Sequence, residues 1–75
     1  MADRVRIRYT FKGIDEYDGL NEVLRQIIQQ DTGADFWLET PSMPPMGFPP
    51  PLSTEGVDRL KSLEGVNVEK LPQDD

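Results

Sequence analysis

Polar and apolar residues alternate without a break from Arg4 to Lys12. Val5, Ile7, Tyr9 and Phe11 fall on one side, and Arg4, Arg6, Arg8, Thr10 and Lys12 on the other. A period of two is that of a strand with one face buried. The period then changes: Leu20, Val23, Leu24, Ile27 and Ile28 recur at helical spacing and make one apolar stripe. Asp18 is placed to cap the start of that helix, and Gly33 suits the left-handed conformation that ends one. Ala34 to Thr40 alternates again, with Phe36 and Leu38 on one face and Trp37 and Glu39 on the other, which predicts a short strand.

A second set of elements follows residue 52. Ser53 is placed to cap a helix, with Leu52 before the cap and Val57 after it spaced for a hydrophobic staple. Leu60 and Leu63 continue the buried side. Gly56 weakens this helix by about 1 kcal/mol relative to alanine, so it should be short and held by packing. Gly65 ends it, and Val66 and Val68 alternate with Asn67 and Glu69 in a last strand before Leu71 and Pro72. The order is strand, helix, strand, proline segment, helix, strand. Each strand offers one apolar side, so the economical packing puts both helices on one face of a three- or four-stranded sheet. The expected fold is a small α+β sandwich of the ferredoxin-like, split β-α-β type.

Residues 42–53 hold five of the chain's seven prolines. Prolines stiffen a chain into extended geometry, so this is a poor flexible linker. Pro41 and Pro44 have the spacing of a ligand for proline-binding domains, a match of composition alone. Because Pro49, Pro50 and Pro51 lack amide donors, a strand could pair here only around Met46-Gly47-Phe48. The preferred reading is an ordered, stiff loop over residues 41–52, within a single domain spanning 1–75. Its Met43, Met46 and Phe48 fold back on the core or form an apolar contact patch.

Composition narrows the chemistry. With 75 residues the chain can bury only a modest core, and support from a partner or a second copy would help it. It has no cysteine and no histidine, which removes thiol chemistry and the commonest general base and metal ligand. Ser42, Ser53 and Thr54 have no candidate base beside them in sequence, no motif links Lys61 or Lys70 to a serine nucleophile, and no glycine-rich phosphate loop is present. Asp15, Glu16 and Asp18 lack the spacing of a calcium loop and are better explained by helix N-terminal electrostatics. We therefore expect no catalytic residues, no metal and no cofactor. A net charge of −6 disfavours generic binding to nucleic acid or anionic lipid. No apolar run is long enough for a membrane span, so a soluble, cytosolic protein is expected.

The row Arg4, Arg6, Arg8 and Lys12 is the most unusual feature, since nothing in so short a chain is available to cover that face. It can be a solvated face whose cations pair with Glu39 and Glu69 and pack over Trp37. It can also be a docking surface for an acidic protein, with three guanidiniums and an exposed tryptophan.

The run from Met46 to Asp75 resembles the end of subtilisin-type propeptides and the related stand-alone protease inhibitors. Gly47, Phe48, Leu52, Ser53, Glu55, Leu60, Gly65, Val66, Val68 and Glu69 carry the likeness. The resemblance implies a ferredoxin-like fold whose sheet face docks on a protease, with Leu71 to Asp75 entering the cleft. Pro49, Pro50 and Pro51 stand where that family's strand continues.

The sequence thus points to a non-enzymatic protein-binding module, an inhibitor or regulator of a partner enzyme being one form. It would dock through Arg4, Arg6, Arg8 and Trp37, through Met46 and Phe48 of the proline loop, or through Leu71, Asp74 and Asp75 of the tail. The alternatives are a binder of single-stranded nucleic acid using Arg4, Arg6, Arg8, Tyr9 and Trp37, or a subunit of a larger assembly, including a homodimer.

Overall fold

The computed structural model describes residues 4–72. Along the chain lie β1 (Arg4–Val5), β2 (Ile7–Phe11), α1 (Ile14–Thr32), β3 (Leu38–Glu39), β4 (Gly47–Phe48), β5 (Leu52–Ser53), α2 (Thr54–Lys61) and β6 (Val66–Lys70). The main sheet has four strands in the order β3-β4-β2-β6, with every neighbouring pair antiparallel. Two consequences follow. β2 and β3 run parallel and are joined through α1, while β4 and β6 run parallel and are joined through α2. A second, two-stranded sheet pairs β1 with β5. The molecule is a small α+β domain, and no helix among its described residues is long and apolar enough to cross a membrane.

The core is one cluster on one side of the sheet. Ile7, Tyr9 and Phe11 of β2 and Val66 of β6 meet Leu24, Ile27 and Ile28 of α1, Leu52 of β5, and Val57 and Leu60 of α2. Side chains of this size contribute about 1.5–3 kcal/mol each when fully buried. Because both helices pack on this side, the opposite face of the sheet is left without a covering layer among the described residues. Val23 of the expected stripe is exposed, and Leu20 only half-buried.

Several elements differ from expectation for local reasons. The predicted strand from Arg4 to Lys12 breaks at Arg6, whose carbonyl accepts from the Leu71 amide at 2.9 Å. The piece before the break turns away and pairs with β5, Arg4 opposite Ser53 and Val5 opposite Leu52. α1 begins at Ile14 after Gly13, one turn earlier than Asp18, which sits inside the helix. Tyr17 anchors that extra turn by meeting Phe11 edge to face, ring centroids 5.2 Å apart, and Asp15 and Glu16 complement the dipole of the first turn. At its far end Gly33, with φ 80°, closes the helix as expected. The strand expected over 34–40 shrinks to Leu38–Glu39. In the proline segment Gly47–Phe48 does pair, as an inner strand between β3 and β2, and the Met43–Pro44 peptide bond is cis.

Gly47 leaves the space that the Tyr9 ring fills. It stands opposite Tyr9 with its missing side chain pointing to the core, and a Cβ there would lie 2.1 Å from the Tyr9 ring. The ring occupies the space under the glycine. Both groups are buried, so neither has room to yield.

A polar junction ties the ends of the helices together. Asp31, in the last turn of α1, accepts from the Ser53 amide at 2.9 Å, the Ser53 hydroxyl at 2.5 Å and Arg4 Nη1 at 3.2 Å. A hydroxyl donates once. With its proton committed to Asp31, Ser53 Oγ presents a lone pair to the Gly56 amide at 3.1 Å, the capping bond of α2. The carboxylate also lies so close to α2 that a Cβ on Gly56 would come within 2.8 Å of it. The helix-breaking residue in α2 is therefore what lets the two helices meet. Arg4 Nη2 further donates to the Asp31 carbonyl, satisfying one acceptor at the end of α1. Partial burial of Asp31 acts to raise its pKa, but the Ser53 bonds and the Arg4 charge together hold it below the ordinary aspartate value.

Two outcomes are expected. Gly47→Ala should lower the urea-unfolding free energy by roughly 3 kcal/mol or more, because the sheet must open to admit one methyl group. For Asp31, a lowered folded pKa stabilises the fold above the unfolded value near pH 4 and ceases to do so as pH falls through the lower folded value. Asp31→Asn should thus destabilise the protein at pH 7 and flatten the acid limb of its Tm against pH; an unchanged limb would mean the junction contributes nothing.

Candidate functional site

Registers place the sheet's side chains on two faces. On the core face lie Tyr9, Gly47, Glu39, Val68 and Val66. On the open face a row runs across all four strands, from Leu38 of β3 to Phe48, then Arg8, then Glu69 of β6.

This reverses one expectation. The alternation in 36–39 is as predicted, but Trp37 and Glu39 take the core side and Phe36 and Leu38 the open side. Trp37 is half-buried and donates through Nε1 to the Tyr9 hydroxyl at 2.8 Å. That hydroxyl donates to Glu39 Oε2 at 2.7 Å, and Arg25 of α1 donates to the same oxygen at 3.2 Å. The Arg25 guanidinium lies 4.8 Å from the centre of the Trp37 ring. A phenol buried in the middle of a sheet needs partners for its oxygen, and Trp37 and Glu39 are the two polar-tipped side chains within reach. Burial, reinforced by the Glu39 carboxylate and opposed by the bond from Trp37, pushes the Tyr9 pKa above its ordinary range. The phenol stays protonated and acts as the donor this arrangement requires.

The predicted row of cations is dispersed. Arg4 is drawn to Asp31 and the Pro51 carbonyl. Arg8 pairs with Glu69, as expected for a solvated strand face, whereas Glu39 pairs with Arg25 and none of the strand cations. Among the described residues Arg6 enters no ion pair. Arg4, Arg8 and Trp37 are thus held by different partners, and Tyr9, on the inward side of the alternation, is buried in the core.

What gathers around Arg6 instead is apolar. A groove of about 460 Å³ is lined by Phe36, Leu38 and Phe48, by Pro49, Pro50 and Pro51, and by Leu71, together with Arg6, Ile7 and Trp37. Phe36 and Leu38 are 81% and 71% exposed. Of the expected contact residues the groove brings together Arg6, Trp37, Phe48 and Leu71. Met46 is half-buried in the loop, which Thr40 holds by accepting from the Met46 amide at 3.0 Å and donating its own amide to the Met46 carbonyl at 2.9 Å. Asp74 and Asp75 lie outside the described residues.

Phe36 and Leu38 were missed because alternation alone cannot tell which side of a short strand is buried. The signal that could have found them is the unmet hydrogen-bonding need of Tyr9. Among the described residues no group of histidine, cysteine, aspartate or glutamate side chains gathers as metal ligands. Comparison with protein-family models, with curated proteins and with solved structures finds no significant match to the chain.

Tyr9→Phe should cost about 1–3 kcal/mol, since it strands the Trp37 N–H and leaves Glu39 to Arg25 alone. Equilibrium unfolding followed by Trp37 fluorescence measures this directly, and an unchanged midpoint would remove the network from the account of stability.

Proposed function

We propose that this chain is a non-enzymatic protein-binding domain, working in the cytosol, that receives an extended segment of a partner on its open sheet face. The groove around Arg6 carries the proposal. Large apolar side chains left exposed in one concave patch mark a contact surface, and an unpaired guanidinium beside them favours a partner with an acidic residue next to its apolar anchor. The net negative charge of the chain opposes broad electrostatic attraction to acidic molecules, so specificity rests on this local pairing. We further propose that the domain is a ferredoxin-like split β-α-β sandwich to which β1 and β5 are added. The strand order β3-β4-β2-β6 and the two helical crossovers support that assignment.

Panning a random peptide library on the immobilised full chain tests the docking reading. Enriched peptides should pair a large apolar residue with a nearby aspartate or glutamate. Arg6→Glu should reverse the charge preference, and Phe48→Ala should weaken binding at least about tenfold, as expected for an aromatic anchor. Enrichment indifferent to both substitutions would place the interface elsewhere. The inhibitor form of the reading is separated by an assay of subtilisin-type proteases with the intact chain.

A further inference from the structure

The opposite edge of the sheet carries a second surface, independent of the groove. β6 ends the strand order, with no strand beyond it among the described residues. Its hydrogen-bonding direction is set by its pairing with β2. The Lys12 amide donates to the Gly65 carbonyl at 2.8 Å, and the Leu71 amide to the Arg6 carbonyl at 2.9 Å. Antiparallel pairing alternates, so the odd-numbered residues of β6 turn their backbone groups to β2 and the even-numbered ones turn theirs outward. The Val66 amide bends back to Leu63 at 3.3 Å. The outward set is then the amides of Val68 and Lys70 and the carbonyls of Val66, Val68 and Lys70.

Strand edges of this length are usually blunted. The other edge of this sheet is: β3 has only two residues and runs into Pro41. β6 has five residues, and Pro72 lies beyond its end. It is also self-complementary. Laid antiparallel to a second β6 with Val68 opposite Val68, it matches outward groups to outward groups. The two Val68 residues exchange a pair of bonds, and each Lys70 amide meets the Val66 carbonyl of the other copy. In this register Asn67 faces Glu69 and Lys70 faces Val66, so no like charges are opposed. A shift that centres the pairing on Glu69 would set two carboxylates against each other and lose paired residues.

We propose that β6 is a homodimerisation edge, joining two copies into one continuous eight-stranded antiparallel sheet in the Val68-centred register. The two-fold axis of such a pair stands normal to the sheet, so both open faces turn the same way. The dimer would offer two grooves on one side, and a partner with two matching segments would gain avidity from it.

Sedimentation equilibrium of the full chain, run over a wide concentration range, tests this with charge changes at Asn67, which is exposed. Asn67→Lys places a cation opposite Glu69 of the other copy at both symmetry-related positions and should tighten the dimer about two- to thirtyfold. Asn67→Glu should weaken it by a similar factor. The same substitutions at Gln30, exposed on α1, alter net charge equally and should have a much smaller effect. A monomer mass maintained by the wild type and by Asn67→Lys up to about 1 mM, where a millimolar dimer would be well populated, overturns the proposal. So does a dimer whose affinity follows net charge alone or ignores Asn67. Circular dichroism of each variant checks that the monomer fold is retained. Peptide binding in the groove is a separate readout, so failure at this edge leaves the docking reading standing and the reverse holds as well.

Discussion

The packing of Tyr9 under Gly47 is the constraint on which most of this structure turns. The Tyr9 ring packs against Gly47 of the neighbouring strand, in the space any side chain there would need. Burying the ring also buries its hydroxyl, and a buried hydroxyl without partners is costly. Trp37 and Glu39 meet that need from β3 and the segment before it, and Arg25 meets the charge of Glu39 from α1. One aromatic side chain thereby sets how β4 packs on β2, which face of β3 is inward and where α1 lies over the sheet. It also decides what faces solvent. With Trp37 and Glu39 turned in, alternation turns Phe36 and Leu38 out, and they become two walls of the groove. The apolar surface is thus a consequence of satisfying a polar atom on the other side of the sheet.

The Asp31 junction plays a comparable part at the other end of the domain. A carboxylate in the last turn of a helix is unfavourably placed with respect to its own dipole, and α1 has no basic residue in that turn. Its position becomes favourable through its neighbours: the Ser53 amide and hydroxyl, the start of α2 and the guanidinium of Arg4. The junction links β1, β5 and the two helices by hydrogen bonds where a domain of this size has little core to spare. It also removes Arg4 from the open face, while Glu69 neutralises Arg8. Arg6 alone of the three arginines keeps its charge available beside the groove.

These two features give the molecule its asymmetry. One side of the sheet carries the whole buried cluster and both helices; the other carries an apolar groove next to a cation, and its far edge is an open strand. Among the described residues no element covers that second side. The two proposed contacts, a segment laid on the sheet and a strand added at its edge, both fall on this uncovered surface. The proline run, which reads as an interruption in the sequence, supplies a stiff wall to the groove, because its backbone is restricted by the pyrrolidine rings.

The sequence by itself determined the periods and the type and order of the main elements, but not their bounds. The alternation before Phe11, the helical stripe after Leu20, the cap at Ser53 with its staple of Leu52 and Val57, and the stop at Gly33 are local properties of backbone geometry and side-chain shape. In the fold the cap, the staple residues and the stop at Gly33 stand as read, while the alternation is interrupted at Arg6. The sequence also determined that between Pro41 and Pro51 a strand could pair only around Met46-Gly47-Phe48, since Pro49, Pro50 and Pro51 have no amide to donate. Only the tertiary structure decided which face each short strand presents and which charges meet. Residues 36–39 alternate equally well either way up, and the choice belongs to Tyr9, nearly thirty residues away in sequence. The basic row shows the same limit: its spacing is local, but the carboxylates that claim Arg4 and Arg8 come from α1 and β6. Ion pairs and buried hydroxyls are satisfied through space, so their partners are known only once the chain has folded.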